Sequence, residues 1–235
     1  IESAYLQNHI AREFKVTIRY EGEKTKAFTF TAIRAGVDRL ADSAENFLKG
    51  NFLTWQPSVK PVTYNTPEFL TYYALTEGFV KCVGYYEGRL MGAVKGDVKV
   101  LANLQKDKAQ TIPVQYAIMA KLFGFLPQYY DVWVEDTEGK RLTYIQRYYA
   151  SDIRSEEEQW VLFENSLGGI DTFRAYGDTT FTAKHTHNIA EIENDAEEYR
   201  VDTTREYKKN TGHLNKEERR WLLDFFPSLG KYVYI

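Results

Sequence analysis

A mainly β fold is expected, with tandem antiparallel sandwich-like units and two short helices. Three observations predict it. Strand-sized segments follow one another roughly every eight to twelve residues. Several of them alternate apolar and polar positions, the period of a half-buried strand. Aromatic content is high, with 18 Tyr, 14 Phe and 4 Trp among 235 residues, and aromatic rings suit the pleated surface of a sheet.

The first alternation puts Phe14, Val16, Ile18 and Tyr20 on one face and Lys15, Thr17 and Arg19 on the other. Phe28 and Phe30 alternate with Thr29 and Thr31 after the turn Glu21-Gly22-Glu23, so the pair reads as a hairpin. Val37, Leu40, Ala44, Phe47 and Leu48 recur at helical spacing, and Gly50 stops that helix. Asn51 to Pro57 is expected as an aromatic strand, with Pro57, Pro61 and Pro67 punctuating an irregular connector. A second hairpin is expected from Glu68–Leu75 and Phe79–Tyr86 around Thr76-Glu77-Gly78. The stretch from Val98 through Ile112 to Leu122 is strand-like, and Gln128–Val134 and Leu142–Tyr149 flank the polar turn Asp136 to Lys140.

Ser151 to Gln159 is polar, carries Glu156-Glu157-Glu158 and interrupts the hydrophobic period. It divides residues 1–153, a β-rich part with potential lobes at 1–50 and 51–153, from residues 154–235. Trp160–Phe163 and Asp171–Tyr176 then flank Asn165-Ser166-Leu167-Gly168-Gly169, and Phe181–Ile189 continues the sheet. Asn165, Gly168 and Gly169 are expected to turn the chain by adopting positive φ. Ile189 to Glu198 is acidic and reads as a loop. Asn215 with Glu218 three residues on is a capping-box spacing, so a helix starts there and carries Trp221, Leu222 and Phe225 as its stripe. Lys231 to Ile235 reads as a last strand.

Charge and composition narrow the function. The net charge of −3 divides into +2 over residues 1–153 and −5 over residues 154–235, and neither part has the basic footprint of a nucleic-acid platform. No apolar run approaches the ~20 residues that span a bilayer. The single Cys82 excludes a disulfide framework and a cysteine zinc cluster. Opening at Ile1 without Met, the chain is expected to be a piece of a longer polypeptide.

The chemical candidates are thin. His185-x-His187 places two imidazoles on one strand face, short of the three or four ligands zinc takes. Glu191, Glu193, Asp195, Glu197 and Glu198 lack the glycine of a calcium loop and read as a solvated cluster. Cys82 alternates with Val80 and Gly84, as a structural thiol would. No serine elbow or phosphate loop is present. No catalytic residue, cofactor or metal is therefore assigned. The remaining candidates are aromatic: Trp55 and the pairs Tyr72-Tyr73, Tyr85-Tyr86, Tyr129-Tyr130 and Tyr148-Tyr149. On a strand each pair must place one ring on each face, one for the core and one for stacking on a sugar or packing on another subunit.

Two stretches carry a resemblance. One is Asn51-Phe52-Leu53-Thr54-Trp55-Gln56-Pro57 with Thr66-Pro67-Glu68-Phe69-Leu70-Thr71-Tyr72-Tyr73. The other is Trp160-Val161-Leu162-Phe163-Glu164-Asn165-Ser166-Leu167-Gly168-Gly169-Ile170-Asp171-Thr172-Phe173 with the late helix Glu217 to Leu222. Together they resemble structural, tail-associated proteins of phages and prophages from Bacteroides-type gut bacteria. The resemblance implies a non-catalytic virion protein, made in the host cytoplasm, whose partners are other virion or tail proteins and, at the host surface, a glycan. Nucleic-acid binding and membrane insertion are not expected. The rival readings are a carbohydrate-binding module unrelated to phage, resting on the Tyr and Trp content alone, and a glycoside-active enzyme with an unidentified carboxylate pair.

Overall fold

The computed structural model describes residues 11–19, 25–33, 43–88, 92–192 and 195–234. It is mainly β, with several antiparallel sheets and three short helices. The largest sheet has six strands: β3 (Val59–Val62), β5 (Gly78–Gly88), β6 (Gly92–Lys95), β7 (Lys99–Leu104), β9 (Tyr129–Asp136) and β10 (Gln146–Ala150). β5 is its spine. One edge of β5 pairs with β9, and the other pairs first with β7 and then with β6. β10 joins β9 antiparallel and β3 parallel, and Pro61 is accommodated because β3 is an edge strand.

A two-stranded layer, β4 (Phe69–Ala74) with β8 (Lys108–Pro113), lies over the inner face of this sheet. The helix α2 (Tyr116–Phe123) closes the space beside it. Leu70, Tyr72, Val80, Cys82, Met119, Tyr130, Val132 and Tyr148 are all buried there at 1% exposure or less. β4 is buried on both sides, because Tyr73 packs on its other face with Leu53, Ala109 and Leu167. Glu68–Leu75 and Phe79–Tyr86 are therefore not a hairpin: the strands they contain enter different sheets, since a strand covered on both faces serves as a middle layer.

A third sheet is formed by β11 (Gln159–Glu164), β12 (Ile170–Ala175) and β15 (Lys231–Tyr234) in the order β12-β11-β15. The helix α3 (Lys216–Trp221) seats Trp221 and Leu222 against Phe163, Phe173 and Ala175. Its start is the expected capping box, with Asn215 Oδ1 accepting from Glu218 N and Glu218 Oε2 accepting from Asn215 N, both at 2.8 Å.

Among the described residues the two remaining units are lone ribbons. Among the described strands, β1 (Ala11–Arg19) pairs only with β2 (Thr25–Ile33), and β13 (Thr179–Ile192) only with β14 (Asp195–Lys209). The backbone of the run read as an acidic loop, Ile189 to Glu198, thus belongs to paired strands, apart from residues 193 and 194, which lie outside the described residues.

Other expectations change in detail. The first helix, α1 (Ala44–Gly50), is capped by Ser43 accepting from Asn46 N at 3.1 Å, while Val37 and Leu40 lie outside the described residues. Asn51 to Pro57 is not a strand, although Leu53 N donates to Thr71 O. α2 replaces the end of a segment read as strand. Tyr116, Met119, Ala120 and Phe123 fall at i, i+3, i+4 and i+7 on it, and Gly124 ends it with φ of 78°.

The turn between β11 and β12 works differently from expectation. Only Gly168 adopts positive φ, at 82°. Asn165 acts through its side chain, which accepts from Leu167 N and Gly169 N and donates to Leu53 O. Gly169 is required by closeness, since a Cβ there would meet Leu53 O at 2.2 Å. Gly169→Ala is expected to destabilise by about 1–3 kcal/mol through overpacking. Urea denaturation checks this, and an unchanged midpoint would contradict the close approach.

Candidate functional site

The pairing register sorts the tyrosine pairs. Tyr130 and Tyr148 point into the core at 0% exposure and stack on one another at 5.2 Å. Tyr72 and Tyr73 are both buried, because β4 has layers on both faces. These four residues are removed from the candidate contact surface. Tyr86 packs edge-on against Phe125 at 4.7 Å. Trp55 is exposed but lies elsewhere, beside Phe47, with Nε1 donating to Ser166 Oγ.

Tyr85, Tyr129 and Tyr149 share the outer face of the large sheet, since Tyr85 and Tyr149 both pair with Tyr129. Tyr85 and Tyr129 stack at 4.4 Å, and the Arg147 guanidinium lies 4.5 Å from the Tyr129 ring. Arg147 grips Asp131 in a two-bonded fork at 2.7 and 2.8 Å. Trp133 Nε1 donates to Glu135 Oε1 at 2.6 Å, and Lys81 pairs with Glu135 Oε2. Burial acts to raise the Glu135 carboxyl, but the hydrogen bonds from Lys81 and Trp133 and the Lys81 charge outweigh it and hold it below the ordinary value. Asp131, Trp133, Glu135 and Arg147 were not singled out from the sequence. Their signal was the period of two: 129, 131, 133 and 135 on one strand must share a face.

Beside this row a cleft of about 430 Å³ is lined by Val83, Tyr85, Lys95, Asp131, Trp133, Glu135, Arg141 and Ile145. It lies within the usual range for small-ligand clefts. Its carboxylates each have a cationic partner. Lys95 and Arg141 make no ion pair or side-chain hydrogen bond among the described residues.

A second polar cluster is sealed inside. Lys60 Nζ donates to Gln56 Oε1 at 3.0 Å and to Thr172 O at 2.7 Å, and sits 4.8 Å over the Trp221 ring. Glu68 Oε1 is 2.6 Å from the same ammonium but outside hydrogen-bonding angles, and Glu68 Oε2 has no partner among the described residues. Asp171 accepts from Thr54, Asn165 and Trp221. This network crosses the polar connector at 151–158, so residues 51–72 and 159–222 share one buried junction.

Burial raises Glu68 from the ordinary 4.5 to about 7, with the Lys60 charge opposing. Asp171 is also raised by burial, against the bonds from Thr54 and Trp221. The folded chain therefore holds a proton on Glu68 that the unfolded chain releases, and stability falls as pH rises from about 4.5 to about 7. The Glu68 contribution to that fall is about 3 kcal/mol. Glu68→Gln is expected to lack this part of the decline, so urea-derived stabilities of the two proteins converge or cross as pH rises. Parallel profiles between pH 4.5 and 7 would contradict it.

The other candidates are quickly placed. Cys82 is buried, and burial pushes its thiol up to about 12, far from thiolate chemistry. His185 Nδ1 lies 3.0 Å from Thr203 Oγ1 on an exposed ribbon. Among the described residues no three His, Cys, Asp or Glu side chains converge. Glu193 and the side chains of Glu191, Asp195, Glu197 and Glu198 lie outside the described residues. No helix among the described residues is long and apolar enough to cross a membrane. No protein-family model, curated protein or solved structure matches the chain.

Proposed function

We propose that this chain is a non-catalytic, tail-associated virion component, joined to other virion proteins through its two β ribbons and contacting host-surface glycans with the outer sheet face. One observation carries the assembly part. The β1–β2 ribbon is amphipathic and the described residues leave its apolar face uncovered, and the β13–β14 ribbon carries an exposed Phe181–Tyr207 pair. On β1–β2 the register puts Phe14, Val16, Ile18, Phe28 and Phe30 together, each between 41% and 51% exposed. The opposite face holds Glu13, Lys15, Thr17, Arg19, Thr29 and Thr31. On β13–β14 Phe181 and Tyr207 pair directly, 5.0 Å apart, and Val201 shares their face with Ala183, His185, His187, Thr203 and Arg205.

A lone two-stranded ribbon is marginal in water and gains independent stability only from further strands or a packing partner. Contiguous exposed apolar area of this kind marks contact surfaces. An assembly protein accounts for both features, since the missing layer is supplied by a neighbour. The aromatic and charged outer face supports the glycan part.

The test is particle incorporation. In density-gradient fractions of particles from a producing host, the chain should co-sediment with them. The variant Phe14→Thr/Phe28→Thr/Phe30→Thr alters only exposed positions and should remain in the soluble fraction. Absence of the wild-type chain from particles, or equal incorporation of the variant, would overturn the assembly reading.

A further inference from the structure

We infer that the cleft between Tyr85, Trp133 and Arg141 is a subsite for an acidic saccharide, a pyranose carrying a carboxylate or sulfate group. The inference deepens the glycan part of the proposed function and rests on that reading. Three features of the cleft select this chemistry.

The first is charge. Arg147 neutralises Asp131, and Lys81 neutralises Glu135. Lys95 and Arg141 remain uncommitted among the described residues, so the cleft carries two unbalanced positive charges on a chain whose net charge is −3. A cleft lined by one sign of charge focuses the field on a ligand of the other. The Arg141 guanidinium can meet a carboxylate or sulfate with two parallel hydrogen bonds, and Lys95 adds a second point charge.

The second is the floor. Tyr85 and Trp133 are half-buried and offer apolar ring surface against which the C–H face of a sugar can lie. Both rings are held in place before any ligand arrives. Tyr85 is stacked on Tyr129, and Trp133 is tethered to Glu135 through its indole N–H.

The third is the supply of acceptors. Each oxygen of Asp131 and Glu135 receives a hydrogen bond from Arg147, Lys81 or Trp133. A carboxylate has about four acceptor sites, so lone pairs remain for hydroxyl donors. A sugar is dense in such donors. A DNA strand has no internal sugar hydroxyls to offer there and would meet those carboxylate oxygens with its own negative charge. The arrangement therefore favours an acidic sugar over DNA.

The test is isothermal titration calorimetry on the whole chain with four probes: a galacturonate oligomer, a sulfated glucan oligomer, a neutral glucan oligomer and oligothymidylate. At least one acidic oligomer should bind and weaken with added salt, while the neutral oligomer should not bind. Arg141→Gln and Lys95→Gln change exposed side chains and should each weaken the acidic oligomer at least tenfold. Whichever acidic oligomer binds identifies the anionic group as carboxylate or sulfate. Unchanged affinity in the Arg141→Gln/Lys95→Gln double variant would overturn the assignment. So would failure of both acidic oligomers, or tighter binding of oligothymidylate. The double variant should still enter particles as the wild type does, so loss of the saccharide site and loss of the assembly role are separately visible.

Discussion

Lys60→Met is expected to destabilise the protein by about 3–5 kcal/mol at pH 8, the usual cost of removing one partner from a buried ion pair. Lys60 is 5% exposed and is the cation among Glu68, Asp171, Gln56 and the carbonyl of Thr172. Methionine fills much of the same space, so the loss reports charge rather than volume. Glu68 and Asp171 would be left facing each other without the ammonium. Without the Lys60 charge the Glu68 carboxyl rises above its wild-type value of about 7, so the penalty should shrink as pH falls toward about 7 and level off below it. Adding Glu68→Gln to Lys60→Met should recover part of the loss. Urea denaturation at pH 8 and pH 5.5 checks both statements, and a loss under ~1 kcal/mol at pH 8 would show that the network does not hold the two parts together.

Trp221→Ala is expected to cost about 3–5 kcal/mol, as truncation of a buried aromatic does. Its ring is 4% exposed and packs 5.7 Å from Phe163 and 6.2 Å from Phe173. Its Nε1 donates to Asp171 Oδ2 at 2.7 Å, so the deletion also strips a donor from a buried carboxylate. Trp221→Phe separates the two effects. It keeps much of the packing and should lose about 1–3 kcal/mol for the uncompensated carboxylate oxygen. Equal losses in the two variants would show that packing contributes little. Because Trp221 donates to Asp171, Lys60 acts on the same carboxylate through its charge, and the Lys60 ammonium lies over the Trp221 ring, their effects should not add.

These residues also mark how far the sequence could be read. The alternation of Phe14, Val16 and Ile18, the hairpin around Asn165 and the capping box at Asn215 were legible because each is a local pattern. The helix from Tyr116 to Phe123 was legible in its spacing, but it is short and follows a strand with the same apolar residue types. The partner of β4 was not legible: Phe69–Ala74 sits nearer in sequence to β5, yet pairs with β8 across residues 75–107. The buried junction was the hardest to see. Lys60, Glu68 and Asp171 look like surface charges, and only the packing of β12 against β4 and the segment 51–58 takes them out of water. On the outer face Tyr85, Tyr129 and Tyr149 could be read from the tyrosine pairs, whereas their neighbours Trp133 and Arg147 required knowledge of the register between β5, β9 and β10.

The apolar face of β1–β2 and the exposed Phe181–Tyr207 pair of β13–β14 carry the central claim, and hydroxyl-radical footprinting of purified particles against the isolated chain tests it most directly. Phe14, Phe28, Phe30, Phe181 and Tyr207 are all 45% exposed or more in the chain alone, so each should be oxidised there. In the particle these five residues should be protected, while Leu126, exposed at 67% and remote from both ribbons in sequence, should be oxidised in both samples. Equal oxidation of the five ribbon residues in the two samples would contradict an assembly role for the ribbons.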